Sequence, residues 1–268
     1  MHYTMKPTIF HIGWLLAGLC VIASCQKEVL IDESSDMLPK GLFPVEFANI
    51  NGCQPATSSR ITEARDGITS LWSEGDQVGI ALKGGGNDAT AIGTLTAEGE
   101  MMHTTLFWKT TRSAKVSAWY PAGKGTVSLR EQRRKLVYLL KTDNQECNYL
   151  SGPINLKFNH QLAKVRIIVK GGFSWLRSAE LSFLGHTTCS YDDGNFVFGK
   201  EKDYLAMRSI RSRQRIFEIQ VAPMQIKKGE KTLKITFWRY QKFYAVDKDV
   251  SLKAGHLYTL NMDANWFN

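Results

Sequence analysis

Short runs of alternating or β-branched apolar residues, broken by turn residues, set the pattern of this chain. Residues 43–47 (FPVEF), 77–82 (QVGIAL), 115–120 (KVSAWY), 135–140 (KLVYLL), 164–169 (KVRIIV), 216–221 (IFEIQV), 232–238 (TLKITFW) and 256–262 (HLYTLNM) all have this character. Such runs predict strands, because branched and aromatic side chains pack well on a pleated surface. Between them lie 84–88 (GGGND), 121–125 (PAGKG), 171–172 (GG), 192–195 (DDGN), 228–230 (KGE) and 254–255 (AG), whose glycines, prolines and short polar residues favour turns. A helical period with caps is absent, apart from a short helical possibility over 129–135. Many short strands without intervening helices predict an all-β fold of antiparallel sandwiches. The length suits two such domains in tandem, 42–152 and 153–268, with the break near 148–153 (NYLSGP).

The start of the chain has another character. Lys6 precedes an apolar run over 8–24 that is interrupted by His11, and the run ends Ile22-Ala23-Ser24-Cys25. A membrane-spanning helix needs about 20 apolar residues, so this run reads as an export signal instead. Two small residues before a cysteine predict a lipoprotein signal peptide over 1–24 and acylation of Cys25; the alternative is an ordinary signal followed by a buried or disulfide-bonded cysteine. At about 0.8 kcal/mol per buried methylene, three acyl chains would tether the mature chain firmly to a membrane. Gln26 after the cysteine, with Lys27, Glu28, Asp32, Glu33 and Asp36 close behind, points to the outer membrane and the cell surface. Residues 25–41 are polar, include Pro39 and read as a linker.

Composition changes this picture little. The 268 residues are 43% hydrophobic and 22% charged, as in ordinary globular proteins. Net charge is +9, falling to +8 when Lys6 leaves with the signal. That excess suits anionic surface glycans, while export argues against a nucleic-acid partner. Cys53, Cys147 and Cys189 are an odd set without CxxC spacing, and are read as lone buried thiols with at most one disulfide. No HExxH occurs, and His103, His160, His186 and His256 lack metal-ligand spacing, so no metal, cofactor or catalytic residue is expected. Residues 118–126 fail as a phosphate loop because Ala118 and Gly125 occupy its defining positions. Asp192-Asp193-Gly194-Asn195 lacks calcium-loop spacing and reads as a hairpin turn.

Four spaced elements carry a resemblance: Trp72-Ser-Glu-Gly75-Asp76-Gln-Val78-Gly79-Ile80, Ala118-Trp119-Tyr120-Pro121-Ala122, Phe158-Asn-His160-Gln-Leu162-Ala163-Lys164-Val165, and Ala254-Gly255-His-Leu-Tyr258-Thr-Leu260. Pro223-Met-Gln225 is a weaker fifth. In this order the sequence resembles the fimbrillin family, lipoprotein subunits of type V pili and related surface fibres. The resemblance implies two transthyretin-like Greek-key sandwiches and assembly rather than catalysis. It also implies that an arginine-specific protease removes the anchor with the first strand, and that the groove left behind accepts a strand from another subunit. Residues 42–50, with Phe43, Val45 and Phe47, are then the exchanged strand, and Arg60 and Arg65 the candidate processing sites. Only six residues (DANWFN) follow Met262, which under the resemblance is short for a donor strand. The expectation is accordingly a tip, anchor or accessory subunit rather than a stalk repeat.

Two surface features remain. Arg211, Arg213 and Arg215 alternate, which on one strand would place three guanidinium groups on a common face for an acidic glycan or partner subunit. The plainer reading is a solvated face. Trp238, Tyr240 and Tyr244 are either core and cross-strand aromatics or a platform for sugars. A monomeric, surface glycan-binding lipoprotein is thus the alternative function, and exposure of Trp238 and Tyr240 is its distinguishing mark.

Overall fold

A computed structural model describes residues 37–48, 50, 62–63, 70–142, 144–171, 179–211 and 215–263. Among these the first strands are β1 (Phe43–Pro44), β2 (Thr62–Glu63), β3 (Ser70–Leu71), β4 (Gln77–Lys83), β5 (Ala89–Leu95), β6 (Met101–His103), β7 (Phe107–Trp108) and β8 (Ala114–Tyr120). They are followed by β9 (Lys124–Ser128), β10 (Leu140–Thr142), β11 (Gln145–Cys147), β12 (Phe158–His160), β13 (Ala163–Lys170), β14 (Glu180–His186), β15 (Thr188–Asp192) and β16 (Asn195–Phe198). The last are β17 (Lys202–Ala206), β18 (Arg208–Arg211), β19 (Arg215–Val221), β20 (Met224–Ile226), β21 (Lys231–Phe237), β22 (Tyr240–Ala245), β23 (Val250–Leu252) and β24 (Leu257–Asp263). The described residues contain no helix, so none is long and apolar enough to cross a membrane.

The protein is all-β. A seven-stranded sheet runs β12-β10-β8-β4-β5-β6, with β11 also on β8. Two four-stranded sheets, β18-β19-β13-β24 and β17-β14-β21-β22, face each other across a core that includes Val165, Ile167, Phe217 and Ile219 on one side and Leu181, Phe183, Leu205, Leu233 and Ile235 on the other. These residues alternate along their strands as a buried sheet face requires. A separate apolar cluster gathers Val45, Ile50, Trp72, Val78, Ile80, Val116, Leu140, Ile154 and Phe158. Strand β24 closes its sheet in parallel with β13, from Lys164↔Leu257 to Lys170↔Asp263.

Elements near the middle of the chain serve both clusters. Strand β9 pairs with β15, and Leu129 and Leu139 pack in the cluster between the four-stranded sheets, whereas Leu136, Tyr138 and Leu140 pack in the other. The strand expected over 135–140 is therefore present only at its end, in β10, because consecutive side chains are drawn to different cores. The short helix considered over 129–135 is not formed either. There the buried Gln132 amide donates to the carbonyls of Leu129 and Gln220, at 3.1 and 2.8 Å, and accepts from the N–H groups of Val137 and Gln220, both at 3.2 Å. Because β18 begins opposite Glu218, no strand reaches Gln220 on that edge, and Gln132 supplies its backbone partners instead.

The 192–195 turn forms as its sequence predicts. Asp192 pairs with Asn195 across a two-residue loop in which Asp193 (φ 46°) and Gly194 (φ 78°) are both left-handed, the geometry of a type I′ hairpin.

Candidate strand-exchange site

The Trp72 element is a turn that aims an indole into the core. The Asp76 N–H donates to the Ser73 carbonyl at 3.0 Å, and its carboxylate accepts from the Ser73 N–H at 2.9 Å. Gly75 between them has φ 84°, which a side chain would resist. Trp72 is fully buried and meets Tyr120 and Phe158 edge-on, with ring centroids at 5.7 and 5.3 Å. Three of the four elements that carried the resemblance thus converge on one indole. Gly79 answers to the other face of β8, where a Cβ would overlap the Trp119 ring.

Against this core lies the segment 37–50. It runs antiparallel to 106–110, through the Met37↔Thr110 bridge, the β1–β7 pairs Phe43↔Trp108 and Pro44↔Phe107, and a 2.9 Å bond from the Val45 N–H to the Leu106 carbonyl. It then turns parallel to Ile154, which donates to the Glu46 carbonyl at 2.9 Å and accepts from the Ala48 N–H at 3.0 Å. The Ile50 N–H finally donates to the Gly99 carbonyl at 3.2 Å. Val45 and Ile50 are fully buried, and Leu38, Phe43 and Phe47 pack against the same cluster. Phe43 also meets Tyr149 edge-on at 5.1 Å. The regular strand expected over 42–50 is reduced to β1, because the segment changes partner from 106–110 to Ile154 within a few residues, and Pro44 has no N–H to donate.

The receiving edge is tied together by one buried side chain. Buried Asn87 accepts from the N–H groups of Lys109 and Thr110, at 2.9 and 3.0 Å, and its amide donates to the Thr110 hydroxyl and the Arg112 carbonyl, at 3.1 and 3.0 Å. Gly99 lies where a Cβ would press on Trp72 and on the Ile50 carbonyl. Its small size lets 50 cross directly over the indole.

Other residues singled out from sequence fall elsewhere. Cys25, Arg60, Arg65 and Arg213 lie outside the described residues, as does Cys53. Arg211 ends β18 and Arg215 begins β19, directly opposite one another. They belong to two strands of a hairpin, which corrects the single strand assumed for the three arginines. The neighbouring charge cluster was not foreseen. Fully buried Glu218 on β19 accepts from Arg166 on β13 at 2.6 Å and from Arg208 on β18 at 2.8 Å, with the Lys164 ammonium at 3.3 Å. Burial pushes Lys164 down to about 8, against the pull of Glu218. Burial favours the neutral Glu218 acid, yet its bonds to Arg208 and Arg166 and the charge of Lys164 outweigh this and hold it below the usual carboxylate value.

His160 is half-buried beside Tyr138, and burial lowers its imidazole below the ordinary value. Cys147 and Cys189 are free, buried thiols, with Cys189 pushed up to about 11 by burial. Among the described residues no group of three His, Cys, Asp or Glu side chains could hold a metal ion. Trp238 and Tyr240 are exposed, at 81% and 75%.

The chain of a candidate cell adhesion protein from Bacteroides uniformis superposes with a TM-score of 0.59 at 17% identity, covering 84% of this chain and 95% of that one. A second from Bacteroides ovatus gives 0.59 at 13%, covering 84% and 93%, and a third from Bacteroides thetaiotaomicron gives 0.51 at 16%, covering 83% and 93%. At these identities the likeness shows a shared fold. No curated protein matches the chain. The fimbrillin-like family model matches residues 59–265, which takes in every element converging on Trp72, and the chain belongs to that family.

Proposed function

We propose that this protein is a fimbrial or adhesin-like subunit, lipid-anchored through Cys25 at the outer surface, whose segment 37–50 is the strand exchanged during assembly. In this reading the two apolar clusters mark two sandwich domains, with 154–158 packed in the first and Leu129 and Leu139 in the second, and the chain acts as a tip, anchor or accessory subunit. One observation carries it: Val45 and Ile50 are fully buried in the first cluster, yet their segment is held by backbone bonds at three separated places, 106–110, Ile154 and Gly99. Each buried aliphatic side chain contributes about 1.5–3 kcal/mol, so the apolar slot is what binds. A regular strand offering the same side chains and a continuous ladder would fill it better, by β-augmentation. Cleavage after Arg60 or Arg65 would release the resident segment together with the anchor.

Mass spectrometry of the amino terminus of assembled protein recovered from its cells tests this. A first residue of Ile61 or Asp66 is expected on subunits that have accepted a strand. Acylated Cys25 on every assembled molecule would rule out exchange through this segment and leave an uncut anchor or a monomeric lipoprotein. A second reading, a monomeric glycan-binding surface lipoprotein, is favoured by the exposure of Trp238 and Tyr240.

A further inference from the structure

Strands β21 and β22 form an edge hairpin, paired from Lys231↔Ala245 to Phe237↔Tyr240 and joined by Trp238 and Arg239 alone. Trp238, the first loop residue, has φ 53°. Glycine is the residue suited to that position, and a bulky side chain there is strained. Its indole is 81% exposed and Tyr240 is 75% exposed. The fold therefore carries both a backbone cost and a wet aromatic surface at one point, where the indole has only the tilted Phe237 ring, 6.1 Å away between centroids, beside it. Strain retained in this way points to a site of interaction.

Charge indicates what that partner is. Between Lys231 and Ala245 the hairpin has Lys231, Lys234, Arg239 and Lys242 and no acid. The Lys231 ammonium lies 5.5 Å from the ring centre of Phe243, itself 45% exposed, and Lys234 lies 5.0 Å from that of Tyr204. These two rings are 5.5 Å apart. On the face shared by Lys234 and Phe243, cations and rings thus follow one another from Lys231 to the tip at Trp238, roughly 20 Å at strand rise, whereas Tyr240 and Lys242, opposite Phe237 and Ile235, lie on the other face. A bilayer would engage the apolar tip alone, whereas a linear polymer can lie along the whole row.

We propose that one face of the β21–β22 hairpin binds an acidic polysaccharide: a pyranose C–H face stacks on Trp238 at the tip, and carboxylate or sulfate groups pair with Lys231, Lys234 and Arg239. The proposal rests on the adhesive side of the function above and is independent of strand exchange.

The test is binding of the full-length chain to immobilised heparin (sulfated), polygalacturonate (carboxylated) and dextran (neutral), and to phosphatidylglycerol–phosphatidylcholine vesicles. Retention on heparin or polygalacturonate but not dextran is expected, weakening with added salt; which of the two is bound distinguishes sulfate from carboxylate recognition. Trp238→Gly removes the indole without changing charge and relieves the left-handed residue. It is expected to weaken binding at least tenfold while melting no lower than the parent. Lys231→Gln, at an exposed position on the same face, is expected to weaken binding in the same direction, and Tyr240→Ser, on the other face, to leave it nearly unchanged. Unchanged affinity in both Trp238→Gly and Lys231→Gln, absence of binding to either acidic polymer, or binding to vesicles alone would overturn the proposal. Amino-terminal processing is read in a different experiment, so failure here leaves strand exchange standing.

Discussion

Replacing Glu218 by alanine is expected to destabilise the protein by about 3–5 kcal/mol at neutral pH, as denaturant unfolding would measure. Removing one partner of a buried ion cluster leaves the others uncompensated, and here Arg166, Arg208 and the buried Lys164 all lose the carboxylate that holds them. Replacing Lys164 by methionine in the same chain should recover part of the loss, because one desolvated charge is then gone. The lysine also leaves a mark on pH dependence. With its folded value at about 8 against an ordinary 10.5, between these limits the unfolded chain holds the proton and the folded chain does not. The Lys164 contribution therefore favours folding as the pH rises through this window, while the Cys189 thiol, with its folded value at about 11 against an ordinary 9.0, acts the other way from about 9 upward. Lys164→Met should abolish the lysine contribution. On the acid side, Glu218 stabilises the fold above the ordinary carboxylate range and loses this effect as pH falls through its depressed folded value.

Trp72→Ala should cost about 3–5 kcal/mol, the usual range for emptying a buried tryptophan site. The cavity would open under Tyr120 and Phe158 and beside Gly99, where Ile50 crosses. Trp72→Phe should cost clearly less, since the buried indole N–H has no acceptor among the described residues and its loss leaves no partner stranded. Thermal melts of the two variants against the parent separate these outcomes.

Much of the fold was legible because its signals are local. Residues 77–82, 115–120, 164–169 and 216–221 are strands in both readings, since branched residues at period two need no distant partner to be recognised. The Asp193-Gly194 turn follows from the same local chemistry. What was not legible depends on register between remote segments. Lys164, Arg166, Arg208 and Glu218 look like ordinary surface charges along the chain, and become one cluster only when β18, β19 and β13 align. Residues 129–140 read as a helix and then a strand until the two cores that share them are both in place. Residues 43–47 were legible as the segment that covers the core, but its change of partner at Ile154 was not, because that contact spans over a hundred residues.

The central claim is that segment 37–50 fills a slot which another strand can occupy. The most direct measurement is complementation of a chain beginning at Ile61 by a synthetic peptide of residues 37–50, followed by thermal melting. The account predicts that the peptide binds and raises the melting temperature, and that the same peptide with Val45→Asp does neither. A shortened chain that already melts as high as the full chain without the peptide, or whose melting temperature the peptide leaves unchanged, would contradict it.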